Sequence, residues 1–296
     1  MLWKELSLTC LQVHLSTLEN FLIEEGACSI SYQDAKDQPI LEPKVGENPL
    51  WDEVVLVALF TEKYDHNKVT IKLNQSRLKL FIIGEIKVRE FADQDWTRAW
   101  MNDFQPMQFG QKLWIYPSWF VPPSHDPNQI NVLLDPGLAF GTGTHQTTAL
   151  CLNWLDREIK GGESVIDFGT GSGILGIAAR KLGAKSVIAI DNDPQAIIAS
   201  KANADKNTIV VGFSPCLPQD VPMPLAADIL IANILAGILI ELAATIASYV
   251  KMGGKLALSG ILQEQVDEVS EIFSQYFTLS KPVFKDEWAL ICGIRK

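Results

Sequence analysis

Residues 163 to 176 read ESVIDFGTGSGILG, and residues 186 to 193 read SVIAIDND. This pair of segments restricts the possible folds more than any other part of the chain. Val165, Ile166 and Phe168 make the short apolar run of a buried strand, which carries Asp167 near its end. Gly169, Gly171 and Gly173 follow at alternate positions, and a helical pattern begins at Ile174. A second β-rich run closes on Asp191, 20 residues after Gly171. Strand, glycine turn, helix, strand, acid is the order in which an α/β domain holds a nucleoside-containing cofactor. Glycines let the backbone turn tightly and approach the ligand, and the second acid accepts hydrogen bonds from ribose hydroxyls.

Two cofactors fit that pattern. GSGILG, residues 171 to 176, satisfies G-x-G-x-x-G, the dinucleotide fingerprint. The longer reading, Asp167 followed by G-x-G-x-G, is similar to the first motif of S-adenosylmethionine-dependent methyltransferases. Charge separates them. A dinucleotide brings a pyrophosphate anion that suits a helix N-terminus. S-adenosyl-L-methionine brings a sulfonium and an ammonium, which an acid before the loop attracts. Asp167 favours the methyl donor; a glycine turn that only packs a helix on a strand stands as the ligand-free alternative.

At 296 residues, with 47% hydrophobic and 20% charged residues, the chain can bury one large or two ordinary cores. The N-terminal MLWKELSLTC lacks the long apolar stretch of a signal peptide. The most apolar run, LAADILIANILAGILI at 225 to 240, is interrupted by Asp228 and Asn233 and falls short of a membrane span. Cys10, Cys28, Cys151, Cys216 and Cys292 form no C-x-x-C pair, so they read as reduced thiols of a cytoplasmic protein. Neither they nor His14, His66, His125 and His145 have metal-ligand spacing, so no metal is expected. The net charge of -10 argues against direct nucleic-acid binding and is compatible with a basic protein partner.

Patterning predicts two domains. Over residues 1 to 92 the order is β-α-β-β-α-β, with a capping box at Ser16 and Glu19, a strand at 27–32, an apolar strand at 54–60, a helix at 67–81 and a strand at 82–91. That order is the ferredoxin-like α+β arrangement, here a substrate-recognition domain. Residues 93 to 130 read as a linker helix and a hairpin, with Trp96, Trp100, Trp114 and Trp119; packing is preferred to base stacking for these aromatics. From 131 to 296 strands and helices alternate, including a helix at 234–250 and terminal strands near 277–284 and 287–294. Alternating βα units imply a doubly wound, mostly parallel α/β sheet.

Two further segments point to a site. NVLLDPGLAFGTGTHQTT, 131 to 148, bends through Gly137, Gly141 and Gly143 and leads into a helix. Backbone N–H groups there, with threonine hydroxyls including that of Thr148, suit a carboxylate, and N-capping by Thr148 is the bland alternative. His145 reads as a cap before it reads as a base. ADILIANILAG, 227 to 237, runs along an apolar strand to Asn233, at the strand end where open α/β sheets bind ligands. An asparagine oxygen there can accept a hydrogen bond from an amine.

Together these segments resemble the ribosomal protein L-11 methyltransferase family (PrmA). The resemblance is carried by DWTRAWMNDFQPMQFG (95–110), LWIYPSW (113–119), LDPGLAFGTGTHQTT (134–148), DFGTGSGIL (167–175), AIDNDPQA (189–196), ANILAG (232–237) and LSGIL (258–262). It covers the last two-thirds of the chain; residues 1 to about 90 match in topology only. It implies a class I methyltransferase with a Rossmann-like C-terminal sheet. It also implies methyl transfer from S-adenosyl-L-methionine to lysine side-chain and N-terminal amines of large-subunit ribosomal protein L-11, performed by a cytoplasmic monomer. The donor positions it implies are Thr148, Gly169, Asp191 and Asn233, to which the residue reading adds Asp167 and Gly171. Asn233 is the catalytic candidate, positioning the amine. Ile238 departs from the family pattern, which has proline after ANILAG. A class I methyltransferase for another basic protein or a nucleic acid, a cofactor-binding module without turnover, and an NAD-dependent oxidoreductase remain open at this stage.

Overall fold

The computed structural model describes residues 2–36, 38, 49–61, 64–92, 105–121, 129–135 and 145–296, and the chain forms two compact units, 1–102 and 103–296. In the first unit, strands β1 (Leu2–Leu11), β2 (Ser29–Asp34), β3 (Glu53–Thr61) and β4 (Ile82–Ala92) alternate with helices α1 (Leu15–Glu24) and α2 (His66–Gln75). The sheet order is β2-β3-β1-β4, and every pair is antiparallel. Period-two patterning builds the inner face: Leu6, Leu8 and Cys10 of β1 and Val54, Leu56, Ala58 and Phe60 of β3 are buried against Leu18 and Leu22 of α1 and Val69 and Leu73 of α2. This is the β-α-β-β-α-β order read from the sequence.

Local details of this unit differ from expectation. A 3-10 turn at Gln12–His14 feeds α1, which starts at Leu15 with His14 before it and no side-chain cap. Ser16 therefore lies inside the helix, and the capping box with Glu19 does not form. Helix α2 ends at Gln75, and Arg77–Phe81 continue as a 3-10 turn capped by the Ser76 hydroxyl. Asp65 caps α2, accepting from Asn67 N at 3.1 Å and Lys68 N at 3.3 Å.

The second unit opens with the expected hairpin, β5 (Met107–Phe109) and β6 (Leu113–Tyr116), and β6 pairs in parallel with β7 (Ile130–Leu133). Residues 93–104, expected to hold the linker helix, lie outside the described residues, as do 122–128. The hairpin belongs to this unit because Phe109, Leu113 and Ile115 share a core with Cys151, Trp154 and Leu155. Gln111 N also donates to Asp156 at 2.7 Å. Helix α3 (Gln146–Glu158) carries those four partners.

The main sheet contains β8 (Ser164–Phe168), β9 (Ser186–Ile190), β10 (Phe213–Cys216), β11 (Ala227–Asn233), β12 (Val250–Leu262), β13 (Phe277–Leu279), β14 (Val283–Lys285) and β15 (Trp288–Arg295). Its order is β10-β9-β8-β11-β12-β15-β13, with β14 also on β15. Pairs from β10 to β12 are parallel; β15 is antiparallel to β12, β13 and β14. Crossovers run through α4 (Ile174–Lys181), α5 (Pro194–Lys206), α6 (Ala236–Glu241), α7 (Ala243–Ser248) and α8 (Val266–Ser274). The helix expected at 234–250 is thus two short ones, broken at Leu242. Separate cores cover the two faces of the sheet, with α3 and α4 in one and α6, α7 and α8 in the other. Strand order reverses between β8 and β11. Open α/β sheets bind ligands at such a switch point, beyond the carboxyl ends of the strands.

Candidate functional site

The glycine loop leaves β8 at the switch point. Gly169, Gly171 and Gly173 all have positive φ, at 76°, 53° and 84°, so three successive alternate positions sit where side chains are disfavoured. Backbone bonds tie the loop to β9: Gly169 N and Thr170 N donate to the Ile190 carbonyl at 2.8 and 3.0 Å. Two acids clamp it from different sides. Asp191 Oδ2 accepts from Gly171 N at 2.8 Å, and its Oδ1 accepts from Asp193 N at 3.0 Å. Asp167 is fully buried beneath the loop, and its Oδ2 accepts from the Thr170 hydroxyl at 2.6 Å and from Gly176 N at 2.9 Å.

Asp167 Oδ1 is buried and has no hydrogen-bond partner among the described residues. Burial is the main cause that pushes the carboxyl up to about 6, with the nearby Asp191 charge adding to it, while the Thr170 and Gly176 bonds pull it down. At neutral pH the group is therefore mostly an anion held in an apolar place, which is a costly arrangement without a cation. The sequence anticipated an acid here but not its complete burial.

Asn233 closes β11. Its strand neighbour Ala232 pairs with Phe168, so Asn233 lies level with Gly169 across the β8–β11 boundary, and it pairs with Ser259 on the other side. Its Nδ2 donates to the Thr148 hydroxyl at 3.4 Å. That bond joins two of the sequence candidates and leaves the amide Oδ1 as the acceptor end. Thr148 is fully buried and is the third residue of α3 rather than its cap. The cap is His145, whose Nδ1 accepts from Thr147 N at 3.4 Å and lies 2.7 Å from the Thr147 hydroxyl. The ring of His145 also meets Trp288 edge-on, with centroids 4.9 Å apart. The loop glycines Gly137, Gly141 and Gly143 lie outside the described residues.

The structure adds residues that the sequence did not single out. Asn203 Nδ2 donates to the Ser172 carbonyl at 2.9 Å, bracing the loop from α5. Ser259 is fully buried and donates to the Ala289 carbonyl at 2.9 Å. Ile238, which the sequence did single out as a departure, donates its N–H to the Leu235 carbonyl at 3.1 Å, so the N–H that proline would lack is used within the turn. Burial raises the Cys151 thiol well above the usual range and pushes Cys292 up to about 12, so neither of these two is a ready nucleophile.

The parallel sheet with an antiparallel end, and a glycine loop and strand-end asparagine at its switch point, define a Rossmann-like class I methyltransferase. Comparisons with known proteins narrow the class. The family model described as Ribosomal protein L11 methyltransferase (PrmA) matches residues 2–296. A protein of Shewanella denitrificans named Ribosomal protein L11 methyltransferase is 52% identical over 297 residues, 99% of each chain. One of that name from Shewanella halifaxensis is 51% identical over the same share. A crystal structure titled ribosomal protein L11 methylase from Lactobacillus delbrueckii subsp. bulgaricus is similar at TM-score 0.59 and 34% identity, over 65% of this chain and 100% of that one. The chain belongs to the ribosomal protein L11 methyltransferase (PrmA) family.

Proposed function

We propose that this chain moves methyl groups from S-adenosyl-L-methionine to lysine side-chain and N-terminal amines of large-subunit ribosomal protein L-11. One observation carries the reading: the switch point sets the glycine loop and the Asn233 amide side by side, one suited to a donor and the other to an amine. The donor, when bound, supplies a methyl group already activated by a sulfonium. The buried Oδ1 of Asp167 fits such a cation, because it places a negative charge behind the loop that no group among the described residues satisfies. Gly169 and Gly171 present bare backbone, Asp191 has carboxylate lone pairs for ribose hydroxyls, and Thr148 supports Asn233 from α3.

The acceptor side is a protonation problem. Only a neutral amine is a nucleophile, and for lysine, with a pKa of about 10.4, deprotonation at pH 7 costs roughly 4.6 kcal/mol. An N-terminal amine, with a pKa near 8, costs only about 1 kcal/mol. Asn233 Oδ1 accepts a hydrogen bond from the amine and aims its lone pair, and the partly buried setting disfavours the charged form. Positioning does most of the remaining work, so the site needs no strong general base.

Residues 1 to 92 serve as the domain that grips L-11, and the net charge of -10 favours a basic protein over a nucleic acid. Among the described residues no helix is long and apolar enough to cross a membrane. The protein works as a cytoplasmic monomer in this reading. Incubation with tritiated donor and total ribosomal protein tests it. Label is expected on one large-subunit protein; label on RNA, or on nothing, refutes the assignment.

A further inference from the structure

We propose that Ile234 is a positioning residue that keys the Asn233 strand end into the glycine loop, so that donor and amine are held in one frame. The inference rests on the reading of Asn233 as the amine-positioning group and adds a residue that reading does not contain. Ile234 follows Asn233 directly and is seated between two glycines, one from each flanking strand.

The first glycine is Gly169, at the end of β8. A Cβ placed there would drive into Ile234 Cγ2, with Ile234 Cβ only 3.7 Å away. The second is Gly260, in the bulged part of β12, with a φ of 82°. A Cβ there would meet the Ile234 main chain, its carbonyl oxygen nearest, then its carbonyl carbon at 2.8 Å and its nitrogen at 3.0 Å. Real Cβ atoms do not approach that closely, so both positions are bare because Ile234 occupies the space. The side chain is held by the donor loop and the main chain by β12. Asn233 is the residue next to both contacts, and its own side chain bonds Thr148 at 3.4 Å. The geometry makes the Cγ2 branch, rather than side-chain bulk, the contact that fixes the turn.

That distinction gives the test. Valine retains a β-branch, whereas leucine matches the volume of isoleucine but branches at Cγ and has no Cγ2. Turnover on L-11 and donor affinity by calorimetry are measured for I234V, I234L, I234A and N233A, with thermal melts to establish folding. I234V is expected to stay within about threefold of the parent rate, and I234L and I234A to fall by about tenfold or more, since a misplacement of about 1 Å can cost up to a hundredfold. Donor affinity should change by less than about threefold in all three, which separates loss of amine placement from loss of the loop. G169A should lose turnover through the clash, and G169A/I234A should recover part of it, a non-additive pair. I234L turning over as fast as I234V overturns the proposal while leaving the role of Asn233 intact. An unchanged rate in N233A overturns the reading beneath it.

Discussion

Replacing Asp167 by asparagine measures what the buried acid costs and what it does. An exposed aspartate titrates near 3.8, and in the fold this carboxyl is pushed up to about 6, chiefly by burial. Because the folded value is the higher one, the folded chain favours the protonated form. The stability tied to that proton is fully present below about pH 3.8 and is lost as pH rises through about 6. At about 1.36 kcal/mol per pH unit, the full loss is about 3 kcal/mol, and roughly half of it falls between pH 5 and pH 8. Asparagine keeps one oxygen for Thr170 and Gly176 and carries no charge. It also puts an amide NH2 where Oδ1 has no partner, at a cost of about 1 to 3 kcal/mol. That cost does not depend on pH, so it displaces the whole curve and leaves the slope alone. Chemical denaturation of both proteins from pH 5 to pH 8 should show the difference moving by about 1 to 2 kcal/mol in favour of Asp167→Asn as pH rises. A difference that stays flat across this range refutes the account of a buried, mostly ionised carboxylate. The same variant should bind the cationic donor more weakly than the parent at pH 8, and equal affinity would remove Asp167 from the donor site.

Three other outcomes follow from the geometry. Asp191→Ala should weaken donor binding by up to about 3 kcal/mol, since it removes a charged acceptor and releases Gly171 N; calorimetry with unchanged affinity would strike Asp191 from the ribose role. Removing residues 1 to 92 should spare donor binding, because the second unit has its own cores, and abolish L-11 methylation; survival of that activity contradicts a recognition role for the first unit. Iodoacetamide at pH 8 should label exposed Cys28 quickly and buried Cys10 and Cys151 slowly, with donor binding intact, as peptide mass mapping would show; loss of binding on Cys28 labelling alone would bring that residue into the site.

The glycine-loop half of the candidate site was legible because its signals are local. A strand, alternate glycines and an acid 20 residues on lie within one βαβ unit, and glycine marks positive φ in the sequence itself. The order of β-rich and helical segments over residues 1 to 92 likewise exposed the first unit. Helix starts were harder to place. Ser16 looked like a cap, yet a 3-10 turn begins α1 earlier, and among His145, Thr147 and Thr148 only the register of the folded helix selects His145. Burial was not legible at Asp167 or Thr148, because polar residues give no sign of depth until the elements above them are in place. Ile234 left no signal, since its role arises from Gly169 and Gly260, which are distant in sequence and adjacent only across three strands.

The central claim is that the glycine loop and Asn233 form one site for methylating amines of L-11. The most direct measurement is the mass of purified, unmodified L-11 after incubation with S-adenosyl-L-methionine and either the parent protein or Asn233→Ala, followed by peptide mapping. The parent should add methyl increments at lysine side chains and the N-terminal amine, and the variant should leave L-11 nearly unmodified while still binding donor. An L-11 mass unchanged by the parent protein, or the same increments from both proteins, would contradict the account.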